Sequence, residues 1–178
     1  MIRTLAKILR LFRRSEEGSA TVEFVLVFPM FMVLFTSAFE AGLMMTRHVM
    51  LERGLDMAVR EVRLNTGAAP SPDQFKEMIC EGAGIIPDCM NNLKLEMRPI
   101  DPRNWSNIPR SADCVNTNQP FLPNRNFEAG TQNQIMIVRA CSLFSPFFAA
   151  TGIGFDIPRY SGDFYALISI SAFVMEPI

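Results

Sequence analysis

Histidine is almost absent from this sequence: His48 is the only one among 178 residues. Most catalytic zinc sites need at least two histidines, and a serine or cysteine nucleophile usually takes a histidine as its base. The chain also lacks a phosphate-binding P-loop, a G-x-S-x-G turn and an H-E-x-x-H motif. We therefore predict that the protein is not an enzyme and binds no cofactor. For His48 itself, packing or contact with lipid headgroups is the expected role.

The chain also has no excess of positive charge: it contains 17 Lys and Arg and 18 Asp and Glu, a net charge of -1. Residues 1–18 carry five basic and two acidic side chains, a net of +3, which leaves -4 for the remainder. No basic patch interleaved with aromatic residues follows, so nucleic-acid binding is not expected. A basic leader ahead of an apolar run instead favours a cytoplasmic N-terminus at a membrane.

Cysteine is scarce, and the four present, Cys80, Cys89, Cys114 and Cys141, all follow the apolar run. None forms the C-x2-C pair typical of structural zinc, so we predict no metal site. An even number on the predicted export side favours two disulfides. Four cysteines allow three disulfide connectivities. We favour Cys80–Cys89, which closes a short glycine-containing loop, together with Cys114–Cys141, which ties a long loop to a strand.

The sixteen residues 24–39 carry no charge. With residues 19–23 and 40–45 added, a helix rising ~1.5 Å per residue is long enough to cross ~30 Å of hydrocarbon. Pro29 lies inside this stretch, where a membrane helix kinks more often than it ends. We predict a transmembrane segment over about residues 20–45.

The helix is expected to continue beyond the membrane as part of one N-terminal helix over residues 19–66. An apolar seam recurs at spacings of 4, 3, 4, 3 and 4 residues, formed by Met44, His48, Leu51, Leu55, Ala58 and Val62. Asn65-Thr66-Gly67, followed by Pro70, predicts the helix end. Regular helix from Ser19 to Leu64 would be roughly 70 Å long, which is a rod typical of filament subunits.

Residues 67–178 predict a small α+β domain. Ser71-Pro72-Asp73-Gln74 is typical of a helix start, and that helix is expected to end near Glu81-Gly82. Leu93, Leu95 and Met97 alternate with charged residues in a half-buried strand that Pro99 should end. Residues 134–143 and 164–174 predict further strands. Residues 144–154 between them form a loop or a small apolar surface. The expected fold is a long helix followed by a three- or four-stranded antiparallel sheet.

The most specific pattern is GSATVEFVLVFPMFMVLF at residues 18–35. A basic leader precedes Gly18, Glu23 is the fifth residue after it, and the aromatic Phe24 follows. Over about residues 13–45 this arrangement resembles the TadE/TadF minor pilins (pseudopilins) of tight-adherence (Tad/Flp) type IV pili. The layout of the rest suits a pilin-like fold with a disulfide-stapled domain.

The resemblance implies that prepilin peptidase cuts between Gly18 and Ser19 on the cytoplasmic side and that the apolar segment is retained. Residues 1–18 would then be the leader. Glu23 and Phe24 would act in assembly and axial register, with Glu23 pairing with the new amine of Ser19. That amine belongs either to a neighbouring subunit or to the same helix, because positions i and i+4 share a face.

The resemblance also implies a function and a location. The protein would be a minor pilin that acts in pilus initiation or in a tip complex for surface adhesion. It would cross the bacterial inner membrane once, with its C-terminal domain in the periplasm, and enter the extracellular pilus. Its partners would be other pilins, prepilin peptidase, the inner-membrane assembly platform and membrane lipid. The alternatives are an exported binding protein cut after Thr36-Ser37-Ala38 and an uncleaved membrane-anchored scaffold.

Overall fold

The computed structural model describes residues 19–64, 70–104, 108–109, 111–114 and 127–176. Its helices are α1 (Ser19–Leu64), α2 (Pro72–Ala83), α3 (Cys89–Asn92) and α4 (Ile153–Asp156), and its strands are β1 (Leu93–Ile100), β2 (Ile135–Phe144) and β3 (Tyr165–Val174). The strands form one antiparallel sheet in the order β1-β2-β3. The predicted α+β fold, a long helix followed by a small sheet domain, is confirmed.

Helix α1 is continuous over 46 residues, and Pro29 lies inside it without ending it. At ~1.5 Å per residue the helix is about 70 Å long. Its side chains are exposed as far as Phe35, whereas those of the predicted seam from Leu51 onward are buried. The helix therefore consists of an unpacked apolar half and a half that belongs to the domain. The predicted stop at Asn65-Thr66-Gly67 lies outside the described residues.

The seam predicted from the 4-3 spacing packs against the domain. Leu51, Leu55, Ala58 and Val62 are each 3% exposed or less and join the main hydrophobic core. Towards the N-terminal end of the seam, His48 lies with its Nε2 3.2 Å from the carbonyl oxygen of Ile168 in β3. The only histidine is therefore a contact between α1 and the edge of the sheet.

Helix α2 begins as its sequence predicts, with a capping box. The Ser71 side chain accepts a hydrogen bond from the backbone N–H of Gln74, and the Gln74 side chain accepts one from the backbone N–H of Ser71. Phe75, Ile79 and Ala83 form its buried face. Spaced four residues apart, these side chains lie on one side of the helix, the side that packs towards α1.

Helices α1 and α2 touch backbone to backbone at Gly54 and Gly82. A Cβ atom at Gly54 would lie 2.5 Å from the carbonyl oxygen of Ile79 and 2.9 Å from the amide nitrogen of Ala83. Because both neighbours are backbone atoms, they cannot move aside without shifting the helix. Glycine at this position therefore sets the spacing of the two helices.

Gly54→Ala should force α1 and α2 apart and lower the free energy of unfolding by about 1–3 kcal/mol, the range for overpacking a core. Gly42→Ala is the matched control on the same helix, because no atom lies within 4 Å of the position of its added Cβ. Urea unfolding of the full chain in detergent measures both variants. Equal stability of the two variants would contradict the close helix crossing.

One face of the sheet is buried against the helices, as predicted, but the opposite face differs from its prediction. The charged residues of β1 were expected in solvent, yet Lys94 is 6% and Glu96 4% exposed. Residues 108–109 and 111–114 cover this face, where Lys94 pairs with Asp113 at 2.7 Å and Glu96 pairs with Arg139 of β2. The prediction of an exposed charged face is therefore wrong, because a distant segment supplies both the cover and part of the counter-charge.

Pro99 also fails to end β1, which continues to Ile100. Met97, two residues earlier, accepts a hydrogen bond at its carbonyl oxygen from the N–H of Glu128, on the side away from β2. Residues two apart in a strand direct their backbones to the same side, so Pro99 also faces away from β2. Its missing N–H therefore removes no hydrogen bond from the β1–β2 ladder.

Two disulfides fix the domain at its periphery. Cys80–Cys89 joins α2 to α3, and Cys114–Cys141 joins the covering segment to β2. Together they form the connectivity that the sequence favours among the three possible ones. Cys114, Cys141 and Leu143 form a second small hydrophobic cluster on the covered face. The disulfide thus holds in place the segment that shields the buried charges.

Candidate functional site

The N-terminal half of α1 is apolar on every side and uncovered. All sixteen side chains over residues 20–35 are exposed, among them Leu26, Met30 and Leu34 at about 70%. A helix that is apolar all round is stable only in lipid or among other apolar helices. By its length and composition α1 can cross a membrane.

Glu23 lies just past the first turn of this helix and is exposed. Among the ion pairs of the described residues, none involves its carboxylate. The ring of Phe24 beside it is 59% exposed and stacks on Phe28 with centroids 4.9 Å apart. Both predicted assembly residues are therefore open to contacts with other molecules.

The two residues of the predicted cleavage site lie at the limit of the structure. Ser19 is the first residue of α1, whereas Gly18 and the side chain of Ser19 lie outside what the structure describes. Along the helix, Ser19 and Glu23 are separated by ~6 Å and share one face. An amine created at Ser19 would sit at the positive end of the helix dipole, where a nearby carboxylate stabilises it.

The segment that contains these residues has recognisable relatives. Residues 18–60 match the family model described as TadE-like protein. This segment is TadE-like. The match begins at Gly18 and ends at Arg60, so it spans the apolar run and most of the buried seam. No curated protein and no solved structure gives a significant match to the chain.

The TadE-like segment contains a second carboxylate, Glu40, for which the sequence predicts no role. Its side chain is completely buried, and its Oε2 accepts hydrogen bonds from the backbone N–H groups of Phe147 at 2.8 Å and Phe148 at 3.0 Å. One turn earlier, Ser37 Oγ accepts a hydrogen bond from the N–H of Ile153 at 3.2 Å. Two polar side chains of the TadE-like segment thus hold a loop that lies more than 100 residues away in the chain.

The segment predicted as a loop or a small apolar surface, residues 144–154, contains both a buried and an exposed phenylalanine. Phe144 belongs to β2 and is 3% exposed in the core, whereas Phe147 is 67% exposed. Two features of the sequence are related to the contact of this loop with Glu40. One is the charge-free stretch of residues 145–155, and the other is the isolated carboxylate at the end of an apolar run. Nothing local in the sequence shows that the two meet.

Outside the TadE-like segment, the described residues offer little that resembles a reactive centre. No three histidine, cysteine or acidic side chains among them lie close enough to hold a metal ion. A cavity of about 610 Å³ lies beside Arg98 and Asp101, at the start of the long β1–β2 connection. About half of that connection lies outside the described residues.

Proposed function

We propose that this protein is a minor pilin (pseudopilin) of a Tad/Flp type IV pilus. The observation that carries the proposal is the TadE-like match beginning at Gly18 and running along an uncovered apolar helix. Glu23 lies near the start of that helix, at the fifth position after the glycine. A subunit that must leave the bilayer for a filament needs such a helix, since it exchanges lipid contacts for contacts with neighbouring helices.

The proposed topology is a single crossing of the inner membrane. Residues 1–18 form a cytoplasmic leader, about residues 20–45 cross the bilayer, and residues 67–178 form the periplasmic domain. The basic leader supports this orientation. The two disulfides support it as well, because such bonds persist in an oxidising compartment.

In this proposal Glu23 is an assembly determinant. An unpaired charge in hydrocarbon costs ~2.5–3.5 kcal/mol at a helix centre and less near the interface. Pairing with the Ser19 amine of a neighbouring subunit removes that cost inside the filament and fixes the axial offset between subunits. The exposed ring of Phe24 adds an apolar contact beside the ion pair.

Each proposed partner acts at one step of pilus assembly. Prepilin peptidase cuts the precursor, the inner-membrane assembly platform extracts it from lipid, and other pilins receive its helix. The periplasmic domain is then carried to the pilus tip, where initiation of assembly and adhesion to a surface are its proposed roles.

The mature N-terminus tests the proposal directly. Mass spectrometry of protein purified from membranes should find a chain that begins at Ser19. Gly18→Val should leave the full precursor, because a bulkier residue blocks the peptidase, whereas the matched control Gly42→Val should be cut normally. A mature chain starting at Phe39 would instead identify a cleaved signal peptide, and an intact Met1 would identify a plain membrane anchor.

A further inference from the structure

The loop of residues 145–156, here called the aromatic loop, has the surface of a membrane-binding segment. It contains no charged side chain before Asp156. The side chains of Phe147 and Phe155 are 67% and 70% exposed. Two large aromatic rings held in water on one short loop are costly, since each buries 150–250 Å² when covered.

The aromatic loop lies beside the part of α1 that is proposed to be in the bilayer. The backbone at Gly152 approaches Ser37 so closely that a Cβ atom there would overlap its hydroxyl and lie 3.3 Å from the Val33 carbonyl oxygen. The ring of Phe39 packs against those of Phe147 and Phe148, with centroids 5.8 and 5.9 Å apart. The loop is therefore level with residues 33–40 of α1.

Residues 33–40 of α1 lie below the expected outer surface of the membrane. A helix crosses the hydrocarbon in about 20 residues, so with Glu23 at the cytoplasmic interface the opposite interface lies roughly at residue 43. Residues 33–40 are then in the outer half of the hydrocarbon. A loop packed against them is surrounded by acyl chains and not by water.

Five of the loop's backbone N–H groups have partners, as a position in hydrocarbon requires. In hydrocarbon each unsatisfied N–H or C=O group costs several kcal/mol. Glu40 accepts the N–H groups of Phe147 and Phe148, and Ser37 accepts that of Ile153. The N–H groups of Thr151 and Phe155 are bonded within the loop. The loop in return buries the Glu40 carboxylate completely, away from lipid.

A basic side chain, Arg159, follows the aromatic loop. The Arg159 guanidinium donates hydrogen bonds to the carbonyl oxygens of Gly154 and Asp163, at 2.7 and 3.0 Å. A long cationic side chain that bridges the end of an apolar loop to the following turn is typical of a membrane interface.

We propose that the aromatic loop inserts into the outer leaflet of the membrane next to α1, with Phe147 and Phe155 in the hydrocarbon. The domain would then be seated on the bilayer by a loop as well as by a helix, with Glu40 and Ser37 as positioning residues. This inference rests on the membrane-spanning part of the proposed function.

Depth-dependent quenching of tryptophan fluorescence tests the insertion. The full chain with Trp105→Phe receives one new tryptophan at a time, as Phe147→Trp, Phe155→Trp, Met30→Trp or Met57→Trp. Each is placed in phosphatidylcholine vesicles with brominated acyl chains. Met30 marks the middle of the span, and Met57 is an exposed position on α1 well beyond it.

Both loop tryptophans should be quenched by bromine at least about half as strongly as the Met30→Trp residue, as expected for side chains ~5–10 Å below the surface. Tryptophan at position 57 should be quenched only by aqueous iodide. Quenching of the loop tryptophans by iodide alone, with normal bromine quenching at position 30, would overturn the insertion and leave the span intact. Shielding from both quenchers would mean that protein covers the loop, which also overturns it. Loss of bromine quenching at position 30 would reject the span and the proposed function together.

Discussion

Glu23→Ala should yield a subunit that is cut after Gly18 and inserted in the membrane but absent from pili. Alanine in place of a carboxylate makes insertion easier, because it removes a charge from the edge of the apolar run. The same change removes the proposed partner of the Ser19 amine on a neighbouring subunit. That amine would then be buried among filament helices without a counter-charge, which is more costly than losing the pair.

The size of the Glu23→Ala effect also separates the two possible partners of Glu23. An ion pair with the Ser19 amine of the same helix is worth only about 0.2–0.5 kcal/mol, too little to abolish assembly. A charge that is buried without a partner at the contact with a neighbouring subunit costs several times more. Immunoblots of sheared pili and of membrane fractions measure incorporation and insertion separately. Glu61→Ala, which removes an exposed carboxylate elsewhere on α1, should be incorporated normally. Normal incorporation of Glu23→Ala would remove the assembly role from this residue.

Glu96→Ala should lower the free energy of unfolding of the domain by about 3–5 kcal/mol, because it leaves a buried cation without its counter-charge. Glu96 and Arg139 face each other across β1 and β2, with both side chains only 6% exposed. Arg139 would keep its hydrogen bond to the carbonyl oxygen of Pro109 at 2.7 Å, but that bond does not neutralise the charge. Glu96 also accepts the N–H of Asp113, so the covering segment would loosen.

Two control variants identify burial as the cause of the Glu96→Ala loss. Glu176→Ala breaks the Arg63–Glu176 ion pair of 2.9 Å, whose side chains are 55% and 43% exposed, and should cost at most about 1 kcal/mol. The double variant Glu96→Leu with Arg139→Met replaces both charges by apolar groups and should recover most of the loss. Urea unfolding in detergent with the disulfides intact measures all three. If Glu96→Ala cost no more than Glu176→Ala, water would have to reach Arg139.

The features that the sequence predicted well depend on neighbours close in the chain. The buried seam through Leu51 and Leu55 follows from helical spacing alone, and the capping box at Ser71 from four adjacent residues. The TadE-like pattern that begins at Gly18 is equally local, which explains why the resemblance was recognisable in a segment of a few dozen residues. For these features no knowledge of the tertiary structure was needed.

The features that were predicted wrongly or missed depend on distant segments. Lys94 and Glu96 alternate with apolar residues as a solvent-exposed face would, and only Asp113 and Arg139 make their burial possible. In the sequence, Glu40 similarly resembles the polar end of an apolar run. Its contacts with residues 147 and 148 exist only in the folded chain. Periodicity reports the pattern of one segment, so it cannot reveal which other segment covers it.

The two disulfides have a mechanical consequence for a subunit that carries load. They lie within residues 80–141, and each closes a loop, of 9 and 27 residues in sequence separation. Tension applied between α1 and the far side of the domain can unfold the sheet, but it cannot draw out the chain inside either loop. At ~3.5 Å per extended residue, more than about 100 Å of potential lengthening is thereby withheld from the subunit. Under tension, the domain can therefore lengthen less than the same chain would without its disulfides.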